Sequence, residues 1–227
     1  MSSVAVIDYG MGNLHSIAKA LQHADSGTDV VVTSDGDDIL AADRVVFPGV
    51  GAIRDCMRAL QRLRLEPVVR TAALHKPFLG ICLGMQALLQ ESEENGGTAC
   101  LGLIPGRVRR FQEPLLDPRG QPLKVPHMGW NRVHPQHDHP LWEGIATDRW
   151  FYFVHSYYAV ADEPRWVAAT TDYPGPFTSA LASGNIFAVQ FHPEKSQTDG
   201  LRLLANFLHW NPEGGHEREA TVLGSDP

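Results

Sequence analysis

Cys82 stands between two glycines in the stretch Gly80-Ile81-Cys82-Leu83-Gly84-Met85-Gln86, at the end of a short apolar run from Pro77 to Ile81. The run reads as a buried strand and the apolar stretch after Met85 as a helix. A cysteine at that joint has the layout of a nucleophile elbow, with sulfur in place of a serine oxygen. Glycines suit so tight a turn and let substrate approach the backbone. Amides at the start of a helix favour thiolate over thiol and can hold an oxyanion. Most lone cysteines are buried and inert, so the elbow means little without a base.

A base lies far downstream, in Ala188-Val189-Gln190-Phe191-His192-Pro193-Glu194-Lys195-Ser196. The strand-like run Ile186 to Phe191 ends in His192, and Glu194 follows two residues later. A cysteine nucleophile needs a group to take its proton, and that imidazole needs a third group to fix its tautomer. The i, i+2 spacing lets both side chains point to one side where a strand ends. A third segment, Val45-Val46-Phe47-Pro48-Gly49-Val50-Gly51-Ala52, runs another apolar strand into a glycine turn. Peptides in such a turn can aim N–H groups at a developing oxyanion.

The elements around these residues place them consistently. Strands at Val4–Asp8, Asp29–Thr33, Arg44–Phe47 and Pro77–Ile81 alternate with helices at Leu14–His23, Ile53–Leu63 and Leu65–Leu74. That order predicts an α/β fold with a mostly parallel central sheet flanked by helices. Sites in such sheets gather at the carboxyl ends of the strands, where Cys82 and Gly49 both fall. The second half breaks into short β-rich pieces: Arg107–Phe111, Gly129–Val133, Trp150–Val154, Val167–Thr171, Ser179–Ala182 and Ile186–Gln190. Proline and glycine punctuate them, as expected of an additional antiparallel part. A last helix, Thr198–Trp210, carries an apolar stripe of Leu201, Leu204, Ala205 and Leu208. The reading is one domain over residues 1–210 and a polar, flexible C-terminal tail over 211–227.

Composition excludes several functions. The net charge is 19 − 26 = −7 with no basic run, which argues against nucleic-acid binding. Three cysteines, Cys56, Cys82 and Cys100, show neither disulfide nor metal spacing, and Cys56 and Cys100 receive no role. No signal peptide and no run of membrane length is evident, so a reducing cytoplasm is expected. The histidines of Val133-His134-Pro135-Gln136-His137-Asp138-His139-Pro140 read as a proline-broken, flexible loop rather than a built metal site.

The two motifs around Cys82 and His192 resemble the class I, or triad, glutamine amidotransferases. Further stretches, Val6-Ile7-Asp8-Tyr9-Gly10-Met11-Gly12-Asn13-Leu14, Pro48-Gly49-Val50-Gly51, Pro126-His127-Met128-Gly129-Trp130-Asn131 and Phe151-Tyr152-Phe153-Val154-His155-Ser156-Tyr157-Tyr158, are similar to the amidotransferase subunits of imidazole glycerol phosphate synthases. The likeness runs from about Val4 to Leu208. It implies glutamine hydrolysis with Cys82 as nucleophile, His192 as base and Glu194 as orienter. Oxyanion contacts would come from Gly49, Val50, Gly51 and Leu83, and glutamine contacts from Gln86, Glu94, Ser156 and Tyr157. It implies further that ammonia passes to a cyclase (β/α) barrel partner in a heterodimer, with Asn13, Trp130, Tyr152 and Lys195 at or near the interface. No cofactor and no metal are implied. Ile53-Arg54 depart from the pair usual after the glycine turn, which leaves the start of that helix open. A self-contained cysteine hydrolase would carry the same triad but need no partner.

Overall fold

Ser3–Ile7 (β1) is apolar at four consecutive positions because both of its faces are covered. Val4 and Val6 enter one core, while Ala5 and Ile7 enter the core on the opposite face. The computed structural model describes residues 2–212, so most of the expected tail, residues 213–227, lies outside the described residues. Leu14–Ala24 (α1) follows, capped by the Asn13 side chain. Asp29–Thr33 (β2) forms an exposed edge and Gly36–Ala41 (α2) crosses to Arg44–Phe47 (β3). Ile53–Arg62 (α3) and Glu66–His75 (α4) then lead to Phe78–Ile81 (β4).

The expected strands and helices of this half are all present, with one addition and one correction. The addition is α2. Its N-terminus is held by Asp35, whose carboxylate accepts from the backbone N–H groups of Asp37 and Asp38. The correction concerns the helix after the elbow, which starts earlier, at Leu83, and ends at Ala87 (α5) before the rest of the apolar stretch that follows Met85. The chain turns at Leu88 because it must reach Glu91–Ser92 (β5), and Gln90 N–H already bonds to the carbonyl of Gly106. A helix this short has little macrodipole, so its effect on the thiol is confined to the nearest amides.

Beyond β5 come Thr98–Ala99 (β6), Gly106–Arg110 (β7) and a small hairpin of Leu115–Leu116 (β8) and Pro122–Leu123 (β9). His127–Pro135 (β10) and Arg149–His155 (β11) pair antiparallel over their length. Tyr157–Ala161 (β12), Val167–Asp172 (β13), Pro176–Ser183 (β14) and Ile186–Val189 (β15) complete the β-rich half, and Gln197–His209 (α6) ends it. β12 had no counterpart in the sequence reading, because Tyr157-Tyr158-Ala159-Val160-Ala161 lacks polar alternation.

The main sheet runs β2-β1-β3-β4-β15-β14-β12-β7-β5-β6. The antiparallel expectation for the second half fails at β15, which pairs parallel with β4 and antiparallel with β14. That pairing extends the parallel layer by one strand and lays the His192 strand directly beside the Cys82 strand. α1 and α6 pack together on one face, while α2, α3 and α4 cover the other. The buried residues of α6 are Gly200, Leu203, Leu204, Phe207 and Leu208. Leu201 and Ala205 of the expected stripe are only partly buried, since contact with α1 turns the helix toward Leu203 and Phe207. Part of the expected histidine loop is strand: His134 and Pro135 lie in β10, where His134 bonds to Asp148. Among the described residues, no helix is long and apolar enough to cross a membrane.

Candidate active site

Parallel pairing of β4 with β15 sets Ile81 opposite Val189, so Cys82 and Gln190 are the next residues out of the two strands. Cys82 N–H donates to the Val189 carbonyl at 2.7 Å, which ties the elbow to the neighbouring strand. The residue sits at φ 53°, ψ −107°, a conformation that costs a non-glycine residue roughly 1–3 kcal/mol. Close packing maintains it. A Cβ on Gly84 would fall 1.9 Å from the Phe47 carbonyl oxygen. Glycine is therefore demanded there by the approach of β3, rather than by substrate.

His192 and Glu194 follow β15 in a short 3-10 turn spanning Pro193–Lys195. His192 Nδ1 lies 2.9 Å from Glu194 Oε1, and both side chains are almost fully buried. Nε2 is buried without a hydrogen-bond partner among the described residues, and the Cys82 sulfur acts on the ring electrostatically. Burial opposes charge on the ring, but the Cys82 sulfur and the Glu194 carboxylate outweigh it and push the imidazole up to about 10. The site thus favours the imidazolium form of His192. Ser196 braces the turn, donating to the His192 carbonyl at 2.6 Å and accepting from Tyr152 N–H at 3.0 Å.

Above the sulfur opens a cavity of about 290 Å³, suited to a ligand of amino-acid size. Val50, Gly51, Leu83, Gln86, Glu94, Ser156 and Tyr157 line it. The glycine turn, the elbow and the expected glutamine contacts are therefore assembled in one place. Pro126, Val154 and His155 also line the cavity and had no role in the sequence reading. Glu94 reaches across to accept from Ile53 N–H at 2.8 Å, which starts α3 at Ile53 as expected despite the unusual residue pair there.

The oxyanion donors are not displayed. Leu83 N–H donates to the Gly49 carbonyl at 3.3 Å, so the hole is filled by an acceptor. In a planar trans peptide the N–H points opposite to the C=O, so Val50 N–H faces away from the thiol. The expectation that Gly49–Gly51 and Leu83 supply donors is thus not met by this conformation. Tyr9 hydroxyl donates to the Pro48 carbonyl at 2.9 Å and anchors the start of the turn.

Of the expected interface residues, Trp130, Tyr152 and Lys195 form one cluster. Trp130 and Tyr152 are opposed across β10 and β11 with ring centroids 6.2 Å apart, and Lys195 Nζ lies 5.7 Å from the Tyr152 ring. Trp130 is 42% exposed and neighbouring Met128 64%, so this face is surface rather than core. Asn13 is exposed at the N-terminus of α1, its side chain accepting from Ser16 N–H.

A family model described as glutamine amidotransferase class-I matches residues 5–210. The imidazole glycerol phosphate synthase subunit HisH of Methylococcus capsulatus is 73% identical over 213 residues, covering 93% of this chain and 98% of that protein. The subunit of the same name from Nitrosococcus oceani is 63% identical over 211 residues, covering 93% and 99%. Among solved structures, PurLQS from Thermotoga maritima shares the fold with a TM-score of 0.65 at 16% identity, covering 92% of this chain and 98% of that one.

Proposed function

The chain belongs to the class I glutamine amidotransferase family, and from that premise we propose that it is the glutaminase subunit of an imidazole glycerol phosphate synthase, acting in histidine biosynthesis. The observation that carries the chemistry is the buried Cys82–His192–Glu194 array beneath a cavity of about 290 Å³. Identity of 73% and 63% over almost the full length of the two relatives supports the choice of synthase.

Cys82 sulfur attacks the side-chain carbonyl carbon of glutamine. Imidazolium His192 gives its proton to the departing ammonia, leaving a thioester on Cys82. His192 then takes a proton from water, which attacks the thioester and releases glutamate. Glu194 holds the imidazole through Nδ1 and stabilises its charged form. Gln86 donates both amide hydrogens within the protein, to the Tyr157 carbonyl at 3.1 Å and Gln190 Oε1 at 3.0 Å. Its own Oε1 is the atom left for substrate, which suits the α-ammonium group of glutamine rather than the carboxylate. Glu94 and Ser156 line the same space.

Ammonia released into water would be protonated and lose its nucleophilicity. A partner holding the acceptor site answers that need, and we assign it as a cyclase (β/α) barrel subunit docking against Trp130, Tyr152, Lys195 and Asn13. Exposed aromatic anchors such as Trp130 suit such an interface. Free cysteines Cys56, Cys82 and Cys100 suit the reducing cytoplasm. The test is Cys82→Ala in the assembled synthase. Glutamine-dependent synthesis should vanish while synthesis from ammonium salts persists. Equal loss of both would show that Cys82 is structural.

A further inference from the structure

A run of hydrogen bonds leads inward from β10 to the Cys82 sulfur, exposed at its outer end and buried at the sulfur. Asn131 Nδ2 donates to the Asp172 carbonyl at 2.9 Å, which identifies that atom as the amide nitrogen, and it lies 3.2 Å from His127 Nε2. His127 Nε2 is therefore the acceptor and Nδ1 carries the proton. Nδ1 lies 3.0 Å from His155 Nε2, so His155 accepts there and donates from its own Nδ1 to the Tyr157 carbonyl at 2.7 Å. Burial holds both rings neutral, at about 4 for His127 and about 3 for His155, as this single set of tautomers requires. Gln86 donates to the same carbonyl and to Gln190 Oε1. Gln190 is fully buried, and its Nε2 is left 3.5 Å from the Cys82 sulfur.

The order of donors and acceptors leaves no freedom at the last link. Were the Gln190 amide reversed, two NH₂ groups would meet at Gln86 and an oxygen lone pair would face the sulfur. We propose, on the reading of the chain as a cysteine glutaminase, that Gln190 is a further catalytic residue, its amide N–H bonding the attacking sulfur as thiolate, and that Gln86, oriented by the Tyr157 carbonyl that also accepts from His155, is the positioning residue that fixes which end of the Gln190 amide faces the sulfur. His192 approaches the sulfur as the proton-bearing partner; Gln190 adds a donor that keeps its hydrogen throughout the cycle.

The test reads the thiol itself, by the pH dependence of Cys82 alkylation with iodoacetamide. Tyr9 after β1, His155 at the end of β11, Tyr157 at the start of β12, Glu94 on the cavity wall, and His192 with Glu194 after β15 are the other titratable groups around the sulfur among the described residues. None of them is altered by Gln190→Met, which keeps the length of the side chain but removes the donor. A hydrogen bond to a charged acceptor corresponds to about one to two pKa units, so the alkylation inflection should rise by that amount. Glutaminase kcat in the complex should fall roughly 10- to 100-fold with KM little changed. His127→Phe keeps an aromatic ring among Phe153, Tyr173 and Phe177 and should leave the inflection in place, because the Tyr157 carbonyl accepts from Gln86 whichever tautomer the histidines adopt.

The side-chain amide resonance of Gln190 in the unsubstituted protein gives a second readout independent of variant folding. It should shift with the ionisation of Cys82 and disappear from spectra of Gln190→Met. An unmoved inflection in folded Gln190→Met, or an amide resonance blind to that ionisation, overturns the assignment. A rise in folded His127→Phe as large as that in Gln190→Met would make the shift a general packing effect and overturn the assignment as well. Because alkylation needs no glutamine, these outcomes differ from a failure of the glutaminase reading, which would show as an absence of turnover in the unsubstituted complex.

Discussion

The perturbation that tests the site most directly is assembly with the proposed barrel partner, because the resting turn withholds both oxyanion donors. Leu83 N–H is engaged by the Gly49 carbonyl at 3.3 Å, and the same peptide turns Val50 N–H away. Loss of one such donor costs about 100- to 1,000-fold in kcat. With both withdrawn, the lone chain should turn over glutamine at least about 1,000-fold more slowly than the activated complex, a gap of roughly 4 kcal/mol. Read as a population, the conformer with Val50 N–H inward is then present at about 0.1% in the free subunit, and partner plus acceptor ligand must favour it by that free energy. The motion required is local. Tyr9 keeps hold of the Pro48 carbonyl, Gly49 and Gly51 flank the peptide that turns, and the Val50 side chain is 40% exposed to an arriving surface. The donors act on the transition state, so the change belongs in kcat rather than KM. Steady-state glutaminase assays on the subunit, on the complex, and on the complex with acceptor ligand provide the measurement. Equal kcat in all three would refute the argument and favour a self-contained hydrolase.

Three other outcomes follow from the same geometry. His192→Asn should lower glutaminase kcat by several orders of magnitude and Glu194→Gln by considerably less, since one moves protons and the other orients through a single 2.9 Å contact; kinetics of the paired variants on glutamine check the ranking. Gly84→Ala places a methyl group 1.9 Å from the Phe47 carbonyl oxygen, so the elbow must shift; a loss of about 1–3 kcal/mol in denaturant unfolding is expected, with slower alkylation of Cys82. Stability should also fall on acidification from pH 7 to 5. His127 and His155 stay neutral in the fold down to about 4 and 3, whereas in the unfolded chain they protonate near 6.5. The unfolded state therefore binds more protons below 6.5, and each ring costs about 2 kcal/mol by pH 5. A flat urea midpoint over that interval would contradict their burial as neutral rings.

The parts of the site that were legible in the sequence are those written in consecutive residues. Glycines around a cysteine at a strand end, a histidine two residues before a carboxylate, and a Gly-Val-Gly turn each announce themselves locally. Their convergence followed from the rule that parallel strands present their carboxyl ends together. What escaped notice depends on which strands are neighbours. Gln190 stood in plain view within the histidine motif, but only the parallel pairing of β4 with β15 brings it to Cys82. His127 and His155 meet because they are register partners on β10 and β11, 28 residues apart in sequence. The direction of one peptide at Gly49–Val50 is likewise invisible in residue types, since glycine permits either orientation. Helix α2 was missed for a different reason: its signal was a cap, Asp35, with few apolar residues to give it a period.

The bonds that hold the triad differ in kind from the bond that withholds its oxyanion site. Cys82 and His192 are set by the register of two neighbouring strands in a sheet covered on both faces, a placement that only cooperative unfolding can undo. The restraint on hydrolysis is one 3.3 Å contact from buried Gly49, at the start of a turn whose next two residues, Val50 and Gly51, are exposed. Warming or mild denaturant should therefore loosen discipline before competence: the first symptom of damage would be a subunit that squanders glutamine with no acceptor waiting, well before one that has lost its nucleophile. Sub-denaturing stress would then show itself as a rising ratio of glutamate formed to imidazole product made.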